Sequence, residues 1–157
     1  MHPYLLKGLP LGPILVRRFA ERIPAYQLDH CFEPDRFTTR EVVAHLADWE
    51  VLFRTRMELA LESPGSKIQV HEEGERAISE RYCDLDLQQQ LNKFEAEREK
   101  TTALIAGLSP EQLRAPYLHP AFGVMHVEDQ ANMLLGHDLY HVEQLSAYLD
   151  VAIDLAD

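Results

Sequence analysis

The chain has 157 residues and a mass of 18.0 kDa, which fits one domain over residues 1–157 better than two. Its 15 basic and 26 acidic residues give a net charge of −11, and the basic residues form no cluster. Because nucleic-acid readers need a basic face for the phosphates, we expect no nucleic-acid partner. No apolar run approaches the roughly 20 residues that span a bilayer, so we expect no membrane partner either.

The two cysteines, Cys31 and Cys83, form no CxxC pair and cannot supply a disulfide framework. The N-terminal apolar stretch over residues 5–16 is interrupted by prolines. Arg17 and Arg18 follow it rather than precede it, which is the reverse of a secretory signal. We therefore expect a cytoplasmic protein with reduced thiols.

A first helix is predicted over residues 13–23, where Leu15 and Phe19 are spaced as on one helical face and Pro24 follows as a stop. The proline-containing stretch 24–37 is predicted to be a connector that packs on the helices.

A second, long helix is predicted to begin after Thr38 and to run to about Leu61. Thr38 and Glu41 have the spacing of a capping box, in which each side chain bonds the other residue's backbone amide. Apolar side chains then recur at helical spacing through Leu46 and Phe53. A polar link over residues 63–84 follows this helix.

The link is expected to hold one short helical turn near residues 75–81, and a third helix is predicted over residues 85–106. Ser109 is predicted to cap another short turn. Residues 115–125 contain two prolines and a glycine and are predicted to be an irregular loop. A last helix is predicted over residues 127–149.

No segment shows the alternation that is typical of a strand. Four helices with one long internal link predict an all-α four-helix bundle in which that link, between helices two and three, is the crossover. This arrangement corresponds to an up-down-down-up bundle.

His137 and His141 lie four residues apart in the last predicted helix, so their imidazoles share one face, one turn apart. This spacing lets two imidazoles reach one cation, as in zinc-binding helices. Asp138 replaces the glutamate base of the HExxH motif. A histidine pair at this spacing also arises by chance, so a third ligand has to be sought elsewhere.

His45 lies on the apolar face of the second predicted helix, between Val42 and Trp49. One interpretation is a core histidine bonded to a backbone carbonyl or a carboxylate. The other is a third ligand, because helices two and four of an up-down-down-up bundle are antiparallel. His45 and His141 then lie at nearly the same distance from the shared end. This second interpretation predicts an open tri-histidine site of His45, His137 and His141.

Two segments carry these histidines. They read Thr39-Arg40-Glu41-Val42-Val43-Ala44-His45-Leu46-Ala47-Asp48-Trp49-Glu50 and Gly136-His137-Asp138-Leu139-Tyr140-His141-Val142-Glu143-Gln144-Leu145. With one histidine early in helix two and HDxxH late in helix four, the chain resembles the DinB-like superfamily in length, helix order and loop placement. His126 departs from the resemblance, because members often carry Thr or Ser just before helix four.

The resemblance implies a divalent metal bound by the histidines at these positions, which here are His45, His137 and His141. Neutral imidazoles suit zinc, nickel or ferrous iron. Family activities include thiol-dependent transfer and isomerisation with bacillithiol, mycothiol or glutathione, and dimers are common. We therefore expect a small-molecule substrate, a low-molecular-weight thiol cosubstrate and a homodimer.

Three functional interpretations stay open. The chain is a metal-dependent thiol S-transferase or hydrolase, a non-catalytic metal-binding stress or sensor protein, or a structural bundle whose histidines satisfy one another. No residue is assigned as catalytic, because the sequence shows no convincing general base. Asp138 and Asp48 lie near histidines and are predicted either to orient an imidazole or to be ordinary helix-surface carboxylates.

The pocket beside the metal is predicted to be formed by residues 30–37, residues 78–86 and the tail 150–157. His30 is the one further histidine predicted to lie near this pocket. Four others are predicted to be incidental: the terminal His2, His71 in a polar loop, His119 at the far end of the bundle, and His126 as a cap-region or surface residue.

Overall fold

Helices hold most of the chain in the computed structural model, which describes residues 2–154. They are α1 (Pro3–Gly8), α2 (Leu11–Ala20), α3 (Thr39–Glu62), α4 (Glu73–Ser79), α5 (Leu87–Ala106), α6 (Pro110–Leu113) and α7 (Val127–Asp154). Two strands, β1 (Pro116–His119) and β2 (Gly123–His126), lie between α6 and α7. Single turns of 3-10 helix occur at Ala25–Gln27 and Tyr82–Asp84. Within the described part of the chain, no helix is long and apolar enough to cross a membrane.

Side-chain contacts show that α3 and α5 run parallel. Near the start of both helices, Arg40 donates to the Leu85 carbonyl at 3.1 Å. Further along both helices, Arg54 donates to the Glu97 carboxylate at 2.5 Å. Residue numbers rise together in the two pairs, so the 63–84 link has to return the chain along the whole bundle.

The last helix, α7, runs antiparallel to α3. The Tyr148 hydroxyl donates to the Phe37 carbonyl at 3.1 Å, and His45 faces His137 further from that end. Residue numbers therefore rise in one helix while they fall in the other. This antiparallel pairing places His45 level with the two histidines of α7.

Helix α2 runs antiparallel to α5. Leu9, just before α2, accepts from Arg98, whereas Arg17 near its other end donates to Asn92. With α3 and α5 parallel and α7 antiparallel to α3, the bundle is up-down-down-up. The predicted all-α fold with its crossover between helices two and three is confirmed.

Both bounds predicted for the first helix are wrong. The chain folds into α1 and then α2, which begins at Leu11 and ends at Ala20 rather than spanning residues 13–23. Pro10 lies at the junction, where it lacks an amide proton for a continuous helix and suits the first turn of a new one.

The capping box that was predicted for the second helix is present. The Thr38 side chain accepts from the Glu41 amide at 3.3 Å, and the Glu41 carboxylate accepts from the Thr38 amide at 2.9 Å. This cap fixes the start of α3 and hence the height at which His45 lies. The link 63–84 holds α4 close to the predicted turn.

The predicted irregular loop over residues 115–125 is instead an antiparallel hairpin of β1 and β2, in which Tyr117 pairs with Met125. Gly123 adopts a φ of 76°, a left-handed conformation that glycine accepts without strain at the turn. A bridge from Lys67 to Leu118 ties the hairpin to the 63–84 link. The hairpin thereby covers one side of the bundle rather than extending from its end.

The last helix continues beyond the predicted end at residue 149. It runs to Asp154, and Ala152 is buried in the same apolar cluster as Val16 and Leu145. Residues 150–152 therefore belong to the last turns of α7, where Ala152 packs into the bundle core rather than covering the site. The rest of the predicted tail, residues 155–157, lies outside the described residues.

Two large apolar clusters fill the bundle, with a polar layer between them, and a third, small cluster packs the 63–84 link against α3. One large cluster includes Val42 and Leu145, and the other includes Trp49 and Leu134. The small cluster consists of Ala44, Ala77 and Tyr82. The polar layer contains His45, His137, His141, Glu50, Arg98 and Asp138. Buried polar groups separate two apolar regions at one height of the bundle, and this layer is where a functional site is expected.

Candidate metal centre

Three imidazoles converge in the polar layer. One nitrogen each of His45, His137 and His141 lies within 4.8 Å of the others, and the Nε2 atoms of His45 and His137 are 2.9 Å apart. His45 comes from α3 and the other two from successive turns of α7. His45 is fully buried and His141 is nearly so, whereas His137 is half-buried.

Burial keeps all three imidazoles neutral. It lowers the pKa of His45 to about 2, of His137 to about 3 and of His141 to about 4. Mutual repulsion between the imidazoles adds to the effect for His45 and His137, since no two of them can be charged at this separation. At neutral pH each ring therefore carries one nitrogen lone pair, which is what a divalent cation needs.

A hydrogen-bond chain orients His141. Its Nδ1 lies 3.0 Å from the Gln144 Oε1, and the Gln144 amide donates to the Tyr148 hydroxyl at 2.7 Å. The Tyr148 hydroxyl in turn donates to the Phe37 carbonyl at 3.1 Å. Since the Gln144 oxygen accepts from Nδ1, the Nε2 of His141 keeps its lone pair. The sequence reasoning missed Gln144, although it follows His141 by nearly one helical turn.

Asp138 fits neither of its predicted roles. Both of its oxygens accept from Arg98, at 2.5 and 2.9 Å, and its side chain is buried beside Glu50, which accepts from the same guanidinium at 2.7 Å. Burial raises the pKa of Asp138 to about 6, against the opposing effect of Arg98, so the carboxylate is ionised at neutral pH. The network joins α3, α5 and α7 directly behind the histidines.

Asp48 likewise stabilises the fold through hydrogen bonds to the 63–84 link. It pairs with Arg76 of α4 and accepts from the Tyr82 hydroxyl at 2.7 Å. Although burial opposes ionisation, the hydrogen bonds from Arg76 and Tyr82 hold the pKa of Asp48 below its usual value. Asp48 thus fixes the 63–84 link to α3, and its oxygens are directed at these partners rather than at His45.

Two cavities reach the tri-histidine cluster from different sides. The aromatic cavity has a volume of about 290 Å³ and is lined by His137 and Arg56. The rest of its lining is mostly aromatic or apolar and includes Trp49, Phe53, Phe122 and Met133. The polar cavity, of about 250 Å³, is lined by His141 together with Arg36, Asp35, Tyr140 and Gln144. Glu73, the first residue of α4, lines both.

The comparisons with known proteins identify the family. The model of the DinB superfamily matches residues 15–145. The chain belongs to the DinB superfamily. Two relatives bear the provisional name metal-dependent hydrolase. The one from Oceanobacillus iheyensis is 26% identical over 77% of this chain and 70% of its own. The one from Halalkalibacterium halodurans is 24% identical over 92% of this chain and 84% of its own.

A solved structure supports the same fold. YfiT from Bacillus subtilis, described as a probable metal-dependent hydrolase with an unusual four-helix bundle topology, superimposes with a TM-score of 0.87. The match covers 92% of this chain and 83% of that one, at 21% identity. The fold, the family and the tri-histidine cluster together support a divalent-metal-binding protein.

The remaining histidines are placed differently from the predictions in two cases. His119 and His71 were expected to be incidental, but both line the aromatic cavity of this DinB-superfamily protein because the hairpin and the link fold over that side. His126 directly precedes α7 and its backbone amide donates to the Asp129 carboxylate at 2.8 Å, so it lies in the cap region, as predicted. His30 is exposed and packs its ring against Phe32, 4.7 Å between centroids, rather than lining either cavity.

The predicted pocket segments are partly correct. Residues 35–37 line the polar cavity, as expected for the 30–37 segment. The link contributes residues 70–74 in place of the predicted 78–86, because Tyr82 is fully buried against the bundle, its ring centroid 6.4 Å from that of His45. The segment that carries Glu73 was therefore missed, and with it a carboxylate beside the site.

Proposed function

We propose that this DinB-superfamily protein is a metal-dependent enzyme that hydrolyses a small molecule, with His45, His137 and His141 as the metal ligands. The observation that carries the proposal is the convergence of three neutral imidazoles where two cavities meet. A purely structural layer would not need cavities on both sides. The names of the two relatives favour hydrolysis over other metal chemistry.

The donor set fits a resident divalent cation. Zinc, nickel and ferrous iron all accept three imidazole nitrogens and leave room for a further ligand. The Nε2 atoms of His45 and His137 face each other at 2.9 Å, so one neutral ring donates its Nε2–H to the other, and a cation bound by both rings would replace this hydrogen bond. When bound, the cation would supply Lewis acidity and favour the deprotonated form of a coordinated water or thiol.

Glu73 is the residue best placed to move a proton. Although the residue as a whole is solvent-accessible, burial of its carboxyl group raises its pKa, and the neighbouring Glu72 adds to the rise. A general base works best with a pKa near the working pH. In hydrolysis, the Glu73 carboxylate takes the proton of the attacking water and returns it to the leaving group as the scissile bond breaks.

Thiol transfer is the second candidate, and the polar cavity favours it. A hydrolase needs room for one organic substrate, whereas the two cavities offer room for two. Arg36, Asp35 and Tyr140 suit a hydrophilic thiol cosubstrate such as bacillithiol, mycothiol or glutathione. In that reaction Glu73 takes the thiol proton, a carbon–sulfur bond forms, and the leaving group departs with its electron pair.

The test is turnover of a panel of activated esters, amides and electrophiles by protein loaded with zinc, nickel or ferrous iron, each with and without the three thiols. We expect turnover with water alone, at least tenfold slower in Glu73→Gln and unchanged in the control Glu128→Gln. Turnover that requires a thiol would select the second candidate. No turnover above the metal-free protein with any pair would favour the non-catalytic metal-binding interpretation.

A further inference from the structure

One buried guanidinium beside the site lacks a counter-ion. Arg56 of α3 is only 6% exposed, yet among the described residues no carboxylate lies at ion-pair distance from it. Arg98 is buried to a similar degree and binds two carboxylates. Buried charges are normally paired because desolvation costs several kcal/mol, so an unpaired buried arginine indicates a partner that the described part of the chain does not supply.

Aromatic rings support the Arg56 guanidinium without neutralising it. Its Cζ lies 5.7 Å from the centre of the Trp49 ring and 5.3 Å from that of Phe53. Ring faces hold a guanidinium flat and leave its N–H edge free for a planar acceptor. Burial lowers the pKa of Arg56 from its usual high value, which is consistent with the absence of a carboxylate neighbour.

Arg56 lines the aromatic cavity that leads to the metal cluster, and it also lines a smaller cavity of about 190 Å³ beside Leu52 and Gln69. Arg56 and His137 both line the aromatic cavity, and the His137 ring lies 5.3 Å from the same Phe53 ring that Arg56 covers. A molecule in the aromatic cavity can therefore touch Arg56 with one end and approach the histidines with the other. Its body would lie among rings and apolar side chains.

The other titratable groups of the cavity leave Arg56 available. Burial and the nearby Arg56 lower the pKa of His119, so this imidazole is neutral at physiological pH and accepts from the Ala121 amide. Glu73 lines the same cavity but forms no ion pair with Arg56. His71 lies at the wall that is formed by the link. Among the described residues that line this cavity, Arg56 is thus the one permanently cationic side chain, and Glu73 carries the one carboxyl group.

We propose that Arg56 binds a carboxylate group of the substrate, so that the site takes a small organic acid with an aromatic or apolar body. The inference deepens the proposed function, since it names the substrate class of the same site. Arginine and carboxylate match as two parallel N–H···O bonds, which makes the pair stronger and more selective than a single contact. A cavity of about 290 Å³ has room for a ring of benzoate size.

The probe is benzoate, compared with the neutral benzamide and with phenyl phosphate, added to metal-free protein. The indole N–H signal of Trp49, the chain's single tryptophan, reports binding in an NMR titration. We expect benzoate to bind about 10- to 100-fold more tightly than benzamide, which is the value of one charge-assisted contact. Arg56→Gln removes this preference and Arg56→Lys retains part of it. Arg54→Gln, which removes a guanidinium that pairs with Glu97 on the opposite side of α3, leaves the preference unchanged.

Equal affinity for benzoate and benzamide in the wild-type protein would overturn the proposal, as would unchanged benzoate affinity in Arg56→Gln. Tighter binding of phenyl phosphate than of benzoate would replace the carboxylate with a phosphate ester. If Arg56→Gln does not fold, the wild-type selectivity and Arg56→Lys still decide. Because the titration uses metal-free protein, its failure is separate from a failure to bind metal or to turn over substrate.

Discussion

Replacing Arg98 with methionine should cost the protein a large part of its stability. Arg98 is 2% exposed and donates to both oxygens of Asp138, to Glu50 and to the Leu9 carbonyl. Methionine fills much of the same volume but leaves two carboxylates buried without a cation. Removing one partner of a buried ion pair typically costs about 3–5 kcal/mol, a third or more of the stability of an ordinary domain.

The loss should depend on pH. Without Arg98, the pKa of Asp138 in the folded variant rises above the wild-type value of about 6, while in the unfolded chain it stays near its ordinary value of 3.8. When the folded-state pKa of a carboxyl is raised, the folded form has its full stability below the unfolded pKa, where the group is protonated in both states. It loses stability as the pH rises through the folded pKa, because the carboxylate then has to be ionised while buried. The deficit of Arg98→Met relative to the wild type should therefore shrink when the pH is lowered from about 8 to about 5.

The assay is urea denaturation of metal-free wild-type and variant protein across this pH range, with Arg54→Met as the matched control. Arg54 pairs with Glu97 in a partly buried position, where the two side chains are 14% and 15% exposed, and its loss should cost less, about 1–2 kcal/mol. A deficit for Arg98→Met below about 1 kcal/mol at pH 7 would refute the reasoning. A deficit that does not change with pH would show that the buried carboxylates are not its cause.

Three further contacts are tested by single substitutions. Gln144→Leu removes the acceptor of the His141 Nδ1 and should weaken metal binding about 10- to 100-fold in a chelator competition, whereas unchanged affinity would show that Gln144 does not position the ligand. Gly12→Ala places a Cβ against the Asp138 carboxylate and should lower the free energy of unfolding by about 1–3 kcal/mol; Gly136→Ala, with open space around it, should raise it slightly. Thr38→Ala removes the side-chain cap of α3 and should lower the free energy of unfolding by about 1 kcal/mol in a thermal melt. Unchanged stability would show that water caps the helix equally well.

The histidine cluster could be predicted because local signals fixed its geometry. The Thr38 capping box set the start of α3, and the HDxxH spacing placed His137 and His141 on one face of α7. Helical rise then put His45 level with them in an antiparallel pair. The first two steps depend on residues close in sequence, where periodicity is reliable, whereas the antiparallel pairing followed from the expected bundle topology.

The surroundings of the cluster depend on contacts distant in sequence. Asp138 looks like a surface carboxylate until Arg98, from a different helix, is brought against it. The hairpin that places His119 in the aromatic cavity has strands of only four residues, too short for a periodic pattern, and its prolines resemble those of a loop. The expected homodimer and cytoplasmic location stay predictions.

Arg56 carried a local signal that went unused. It lies three residues after Phe53 and seven after Trp49, so helical spacing places all three on one face. An arginine in such a position often extends its charged end to solvent, and the sequence does not distinguish this from a buried guanidinium. Only the structure shows that this face is covered and that, among the side chains it describes, no carboxylate pairs with the guanidinium.

The most direct test of the metal centre is the stoichiometry of zinc binding by calorimetric titration of metal-free protein. We predict one zinc per chain for the wild type, and loss of that site in His45→Ala, His137→Ala and His141→Ala, with the fold retained by circular dichroism. The control His126→Ala, which alters a histidine in the cap region of α7 away from the cluster, should keep one zinc per chain. Unchanged stoichiometry in His45→Ala and His137→Ala would contradict the assignment of these histidines as a metal site.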